Sequence, residues 1–229
     1  MPNQSRVIPR LYPILDAGSF ANTDAMLAAA QALVAAGCTL LQYRNKSGNA
    51  KVMLQQARQL RTVLGQRPHV FQSRAEVGHS NSDGIGSSVT LIMNDRADLC
   101  LAAEFDGTHV GQDDLSPEAV RAIIGPDRRL GVSTHNPEQL READLTSADY
   151  LAIGPVFATT SKEKPDPVVG LEGVRRARNL TRKPLVAIGG ITRANAASVI
   201  EAGADSVAVI SDLTEDPGKS AEEFFRILR

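Results

Sequence analysis

Apolar and polar positions follow two alternating patterns along this chain. Short apolar runs rich in β-branched residues predict strands, and each is followed by a stretch whose apolar positions recur with a helical period. The predicted strands are "LYPILDA", "CTLLQYR", "VTLIMN", "GTHVG", "RLGVST", "YLAIGPVF", "PLVAIGG" and "SVAVISD". The pattern therefore predicts strand–helix units that repeat along most of the chain.

Capping residues predict where several helices begin and end. In "SPEAVRAIIG", Ser116 is a predicted N-cap, Pro117 occupies the first turn and Gly125 follows the last turn. "NPEQLREA" has the same kind of opening. A further helix is predicted from a Thr192 cap to Gly203.

Repeated strand–helix units predict a parallel sheet covered by helices, and this number of units predicts a (β/α)₈ barrel formed as a single domain by residues 1–229. The main alternative is an open doubly wound sheet. Its dinucleotide-binding form needs G-x-G-x-x-G in the first strand–helix turn, and this chain has "DAGSFAN" there.

One segment departs from the repeating pattern. Residues 65–89 are rich in Ser, Gly, Asn and His, and we expect a mobile insertion at about 66–88. It lies between the second helix and the third strand, so a barrel would carry it at the face opposite the usual active site. His69 and His79 have no Cys or closely spaced His that would indicate a metal site.

Composition narrows the class of partner. The net charge is −1, Trp is absent, and aromatic residues make up 4%, so nothing favours nucleic acid as a partner. Residues 25–43 carry no charge, but Gly37 predicts a buried helix followed by a buried strand rather than a membrane span. The N-terminus lacks the apolar core of a signal peptide, and Cys38 and Cys100 are typical of buried thiols in a reducing compartment. We expect a cytoplasmic protein and leave a homo-oligomer open.

Polar residues that could bind a ligand or take part in catalysis follow the predicted strands. Singly, each is more typical of a helix cap, a turn or a polar loop. In a barrel, however, the carboxyl ends of all strands meet at one mouth. The residues at these ends are Gln42, Arg44, Lys46, Asn94, Asp95, Asp113, Asp114, Ser133, Thr134, His135, Thr159, Thr160, Ser161, Lys162, Gly189, Gly190, Ile210, Ser211 and Asp212.

These residue types indicate two phosphate sites. Positions i and i+2 of a strand share a side, so Arg44 and Lys46 would point together, and Arg and Lys suit a diphosphate. Two carboxylates near substrate phosphates suit Mg²⁺. Gly189 and Gly190, with the amides after the eighth strand, resemble the monophosphate site of many barrels.

The chain as a whole resembles the thiamine phosphate synthase family. The matching pieces occur in family order and span nearly the whole chain apart from residues 65–89. They are "QYRNK", "LIMNDRAD", "DGTHVGQDD", "LGVSTH", "YLAIGPVFATTSK", "AIGGI" and "GADSVAVIS". The last piece alone occurs in many phosphate-binding barrels, whereas the set is specific.

The resemblance implies a role for each matching position. Asp95 and Asp114 would bind one Mg²⁺ ion per subunit, Ser133 would contact the reacting pyrimidine end, and Lys162 would contact the diphosphate. The implied ligands of the pyrimidine diphosphate are Gln42, Tyr43, Arg44, Asn45, Lys46, Asn94, Ser133 and Lys162. Those of the thiazole phosphate are Thr159, Thr160, Ser161, Gly190, Ile210 and Ser211. Arg44, Lys46, Ser133 and Lys162 would be the catalytic residues.

The implied reaction joins two small phosphorylated substrates. A hydroxymethylpyrimidine diphosphate loses diphosphate first, and the nitrogen of a thiazole phosphate, or of its carboxylated form, captures the resulting cation to give thiamine monophosphate. Two positions depart from the family: Asn45 replaces a common acidic residue and Ser161 a common Thr. Two alternatives remain: a thiazole tautomerase-like isomerase, with His135 as an attractive acid–base residue, and a non-catalytic barrel that binds phosphate ligands.

Overall fold

Eight parallel strands close into a barrel in which β1 pairs with both β2 and β8. This computed structural model describes residues 7–65, 89–159 and 166–229. The strands are β1 Leu11–Asp16, β2 Leu40–Arg44, β3 Thr90–Asn94, β4 Gly107–Val110, β5 Arg129–Thr134, β6 Tyr150–Ile153, β7 Leu185–Ile188 and β8 Ser206–Val209. The prediction of a (β/α)₈ barrel is confirmed.

Each strand is followed by a helix that packs outside the barrel. The helices are α1 Thr23–Ala35, α2 Ala50–Val63, α3 Ala97–Ala102, α4 Pro117–Ile124, α5 Pro137–Asp144, α6 Gly170–Leu180, α7 Ala196–Glu201 and α8 Pro217–Ile227. Short 3₁₀ helices occupy Ala17–Ser19 and Ser211–Leu213. The predicted segment 66–88 lies outside the described residues, so the insertion stays a prediction.

The predicted caps are confirmed at two helices and wrong at one. The Ser116 side chain accepts a hydrogen bond from the Ala119 amide at the start of α4, and Asn136 opens α5 in the same way. The helix predicted to begin at Thr192 begins instead at Ala196. The Thr192 amide donates to the Asn195 side chain at 2.8 Å, and this local turn delays the helix.

Alternation along the strands separates two apolar layers. One set of side chains packs between the sheet and the helices, and the other fills the inside of the barrel. Tyr12 of β1 and Tyr150 of β6 meet inside, with their hydroxyl oxygens 2.7 Å apart. Both are buried and form the floor beneath the mouth.

The uncharged stretch 25–43 forms most of α1 and the greater part of β2, as predicted. The chain turns between them at Gly37, whose φ is 106°. In the part of the chain that the structure describes, no helix has the length and apolarity required to cross a bilayer.

Candidate active site

A cavity of about 450 Å³ opens at the carboxyl ends of the strands. This volume is in the range of small-molecule sites, about 300–1,000 Å³. Most predicted site residues within the described ranges line the cavity: Gln42, Arg44, Lys46, Asn94, Asp95, Asp114, Ser133, Thr159, Gly190, Ile210 and Ser211. The barrel therefore brings together residues separated by up to about three quarters of the chain.

The end of β2 and the residues that follow it present one amide, Gln42, and two cations, Arg44 and Lys46, to the cavity. Gln42 is 3% exposed, and its Nε2 has no hydrogen-bond partner among the described residues. A buried N–H without a partner is costly, so this amide is suited to donate to a ligand acceptor. Arg44 pairs with the Asp16 carboxylate across the β1–β2 register, which holds the guanidinium at the rim.

Tyr43 and Asn45 were predicted to bind the pyrimidine diphosphate, and that role stays a prediction. Their side chains do not line the cavity, because successive strand residues point to opposite sides. The Tyr43 hydroxyl donates to Gln56 Oε1 of α2 at 2.6 Å, and Asn45 Nδ2 donates to the same oxygen at 2.8 Å. These side chains fasten the end of β2 to α2, so Asn45 in place of an acidic residue does not remove a charge from the cavity wall.

Two carboxylates face each other beside these cations. Asp95 follows β3 and Asp114 follows β4, and Lys46 Nζ lies 2.6 Å from Asp95 Oδ2. Burial raises the pKa of Asp114, and the Asp95 charge raises this pKa further. Asp95 does not cap α3, because Arg96 occupies the cap position, where its own side chain makes no capping hydrogen bond.

This pair fits a Mg²⁺ ion that also binds substrate. Asp95 adopts a left-handed φ of 62°, which is uncommon for a residue other than Gly but is tolerated by Asp. Among the described residues no group of three or more His, Cys, Asp or Glu could hold a metal. Two carboxylates are nevertheless sufficient for Mg²⁺, which keeps water and takes phosphate oxygens from a substrate.

A buried polar chain beneath Ser133 was not predicted. His109 Nε2 lies 2.8 Å from Ser133 Oγ, and His109 Nδ1 lies 3.1 Å from the Tyr150 hydroxyl. Burial lowers the pKa of His109 to about 4, so the ring is neutral at pH 7. Alternation along "GTHVG" could have indicated that His109 faces the inside of the barrel. Its partner Tyr150 could not be found in this way, because the two residues are 41 positions apart in the chain.

The opposite wall of the cavity is formed by backbone after β7 and β8. Gly189 and Gly190 have φ values of 101° and 62°. A Cβ on Gly190 would lie 2.4 Å from the Ala158 carbonyl oxygen, so only glycine fits here. Ile210 and Ser211 line the same wall, as does Thr159.

Three predicted ligands, Thr160, Ser161 and Lys162, lie outside the described residues. His135 lines the mouth, where its Nδ1 lies 2.7 Å from the Gly154 carbonyl oxygen and its Nε2 3.5 Å from Asp166. These contacts attach His135 to the loop after β6.

Comparisons with known proteins agree with one another. Residues 85–213 match the family model described as thiamine monophosphate synthase. The chain is 54% identical over 224 residues to a thiamine-phosphate synthase of Koribacter versatilis, covering 96% of both proteins. It is 40% identical over 202 residues to one of Chloroflexus aurantiacus, covering 88% of this chain and 83% of the relative. A solved thiamine phosphate pyrophosphorylase from Pyrococcus furiosus superposes with a TM-score of 0.78 at 30% identity, covering 98% of each chain.

Proposed function

Because the chain belongs to the thiamine-phosphate synthase family, we propose that it is a transferase of thiamine biosynthesis. In this proposal it condenses 4-amino-2-methyl-5-(diphosphooxymethyl)pyrimidine with 4-methyl-5-(2-phosphoethyl)thiazole, or its carboxylated form, to thiamine monophosphate and diphosphate. The observation that carries the proposal is the joint presence of Arg44, Lys46, Asp95 and Asp114 at one cavity rim. Cations and a carboxylate pair at adjacent strand ends suit a metal-bound diphosphate.

The cationic rim supports a dissociative reaction, in which the C–O bond to diphosphate breaks before the C–N bond forms. The negative charge on the diphosphate increases as its bond breaks. Arg44 can bind two phosphate oxygens with its planar fork, and Lys46 adds a mobile charge. Their interactions therefore strengthen toward the transition state, which raises kcat as well as affinity.

Mg²⁺ would be held by Asp95 and Asp114 and, when bound, would neutralise charge on the leaving diphosphate. Asn94 lies next to Asp95 at the end of β3 and would help to bind the pyrimidine diphosphate. Lys162, from outside the described ranges, is the remaining proposed diphosphate contact.

The pyrimidine end would occupy the interior between Gln42 and Ser133. The Gln42 amide would donate to a ring acceptor, which would satisfy its buried N–H. Neutral His109 would fix the Ser133 hydroxyl through their 2.8 Å contact. The surrounding Ile14, Ile188 and Ala208 side chains are apolar, which favours exclusion of the water that would otherwise capture a carbocation.

The acceptor would bind at the opposite wall. Its phosphate would contact the backbone of Gly190, Ile210 and Ser211, together with the hydroxyls of Thr159 to Ser161. In this arrangement the thiazole nitrogen would be held beside the pyrimidine methylene, and positioning of this kind can supply much of a rate enhancement. No protein nucleophile is required.

Location in the cytoplasm is part of the proposal. Cys38 and Cys100 are buried free thiols, which suits a reducing compartment.

The test is diphosphate release measured with both substrates, and then with each substrate alone. The proposal requires release that depends on both substrates, on Mg²⁺ and on Asp95 and Asp114. An isomerase would convert the thiazole without any pyrimidine diphosphate, and a non-catalytic barrel would bind ligands without turnover. Either of those two results would contradict the proposal.

A further inference from the structure

The two backbone segments of the proposed monophosphate site are joined by one arginine. Asp212, in the turn after β8, accepts three hydrogen bonds from Arg193, in the loop after β7. Asp212 Oδ2 lies 2.7 Å from the Arg193 amide and 3.0 Å from its Nε, and Asp212 Oδ1 lies 3.1 Å from its NH2. The remaining guanidinium nitrogen, NH1, donates to Glu223 of α8. Arg193 therefore ties both loops to a helix of the outer layer.

These contacts lead directly to the ligand-facing backbone. Asp212 is adjacent to Ser211 in the chain. On the other side, Asn195 Nδ2 donates to the Gly190 carbonyl oxygen at 3.0 Å, while Asn195 Oδ1 accepts from the Thr192 amide at 2.8 Å. Arg193 lies in the chain between Thr192 and Asn195, within this turn. The β7–β8 ladder ends at Ile188 and Ala208, and beyond it this ion pair and this short turn hold the Gly190 and Ser211 segments against each other.

We propose that Arg193 and Asp212 are positioning residues for the thiazole phosphate, acting by holding the Gly190 and Ser211 segments at the spacing that its phosphate requires. This inference rests on the proposed function of the cavity. Neither residue needs to contact the substrate, since the guanidinium of Arg193 is already paired with two carboxylates. Bidentate Arg–carboxylate pairs fix geometry better than single ion pairs do. Binding backbone must be held to within about 0.5 Å of its productive position.

A simple contribution to stability would be the other explanation, and the chain offers a matched control for it. At the opposite end of the same strand pair, Arg178 NH1 donates to Asp205 Oδ2 at 2.7 Å. The same oxygen accepts from the Leu185 amide of β7 at 2.8 Å. Both ion pairs thus join an arginine, a backbone amide and a carboxylate next to β8, but Arg178 is remote from the cavity mouth.

The experiment compares Arg193→Met with Arg178→Met. Melting temperature, kcat and the KM of each substrate are measured for both variants and for the wild type. We expect both variants to lower the melting temperature, but only Arg193→Met to raise the KM of the thiazole phosphate, by about tenfold, which is the scale of one displaced contact. The KM of the pyrimidine diphosphate should change by less than about twofold, because that substrate binds at the β2–β4 rim.

Two conservative variants keep the test decisive if Arg193→Met fails to fold. Arg193→Lys should recover only part of the thiazole phosphate affinity, because an ammonium cannot form the fork. Asp212→Asn should raise the same KM while leaving the pyrimidine diphosphate KM unchanged. If the KM of the thiazole phosphate were the same in all folded variants and the wild type, the positioning role of Arg193 and Asp212 would be wrong, while the proposed function would stand. Absence of two-substrate turnover in the wild type would overturn the proposed function and the inference with it.

Discussion

Gly131→Ala should damage both stability and catalysis, although Gly131 itself contacts no proposed ligand. Gly131 lies inside the barrel on β5, two residues before Ser133. A Cβ there would lie 2.1 Å from Tyr150 Cζ, and 2.4 Å from both the Tyr150 hydroxyl and His109 Nδ1. No rotamer change of the added methyl can relieve these contacts, so Tyr150 or His109 must move.

The expected loss of stability has two parts. Overpacking of a filled core costs about 1–3 kcal/mol. Displacing Tyr150 also disturbs its buried contacts with Tyr12 and His109, and a buried polar group left unpaired costs about 1–3 kcal/mol. The free energy of unfolding should therefore fall by about 2–6 kcal/mol, a large share of the roughly 5–15 kcal/mol of a typical domain.

Catalysis should fall because His109 holds Ser133. A shift of about 1 Å in a positioned group can reduce a rate by up to about a hundredfold, so we expect kcat to drop at least tenfold in the protein that remains folded. Urea unfolding measures the first effect and steady-state diphosphate release the second. Gly218→Ala is the control, since its nearest contact would be an ordinary 3.6 Å and Ala favours the helix there. Wild-type stability and kcat in Gly131→Ala would refute the reasoning.

Three further predictions concern other parts of the molecule. Arg44→Met should fold normally and lose about a hundredfold or more in kcat/KM, the scale of one strong transition-state donor, with Arg44→Lys recovering part; wild-type kinetics would contradict the diphosphate role. Asp114→Asn should melt at a higher temperature than the metal-free wild type at pH 7 but lose turnover and stabilisation by Mg²⁺. The reason is that burial raises the pKa of Asp114, so its ionised form destabilises the fold. The stability that goes with the neutral form is present below about pH 4 and is lost as pH rises through the raised pKa. If Mg²⁺ raised the melting temperatures of Asp114→Asn and the wild type equally, the metal role would be excluded. Replacing residues 66–88 with a short Gly-Ser linker should leave catalysis nearly intact, because the segment joins α2 to β3 away from the strands' carboxyl ends, and a folded but inactive variant would contradict this.

The periodicity of the sequence was sufficient for the order and type of the elements. All eight strands and the caps at Ser116 and Asn136 follow from local preferences, which a chain segment expresses without its neighbours. The same alternation predicts that Gln42, Arg44 and Lys46 share a side. Applied one position further, it would also have excluded the side chains of Tyr43 and Asn45 from the cavity.

Other features were decided only when the barrel closed. The Tyr12–Tyr150 hydroxyl contact joins residues 138 positions apart, and the bond between His109 and Ser133 depends on the register of β4 against β5. Nothing local to Gly131 indicates that a methyl group there would meet Tyr150. The two-bond pairing of the Arg193 guanidinium with Asp212 likewise depends on how the loops after β7 and β8 are placed next to each other. Local sequence determines which side of a strand a residue faces, whereas tertiary packing determines which residue it meets there, because contact distances depend on the closure and stagger of the whole sheet.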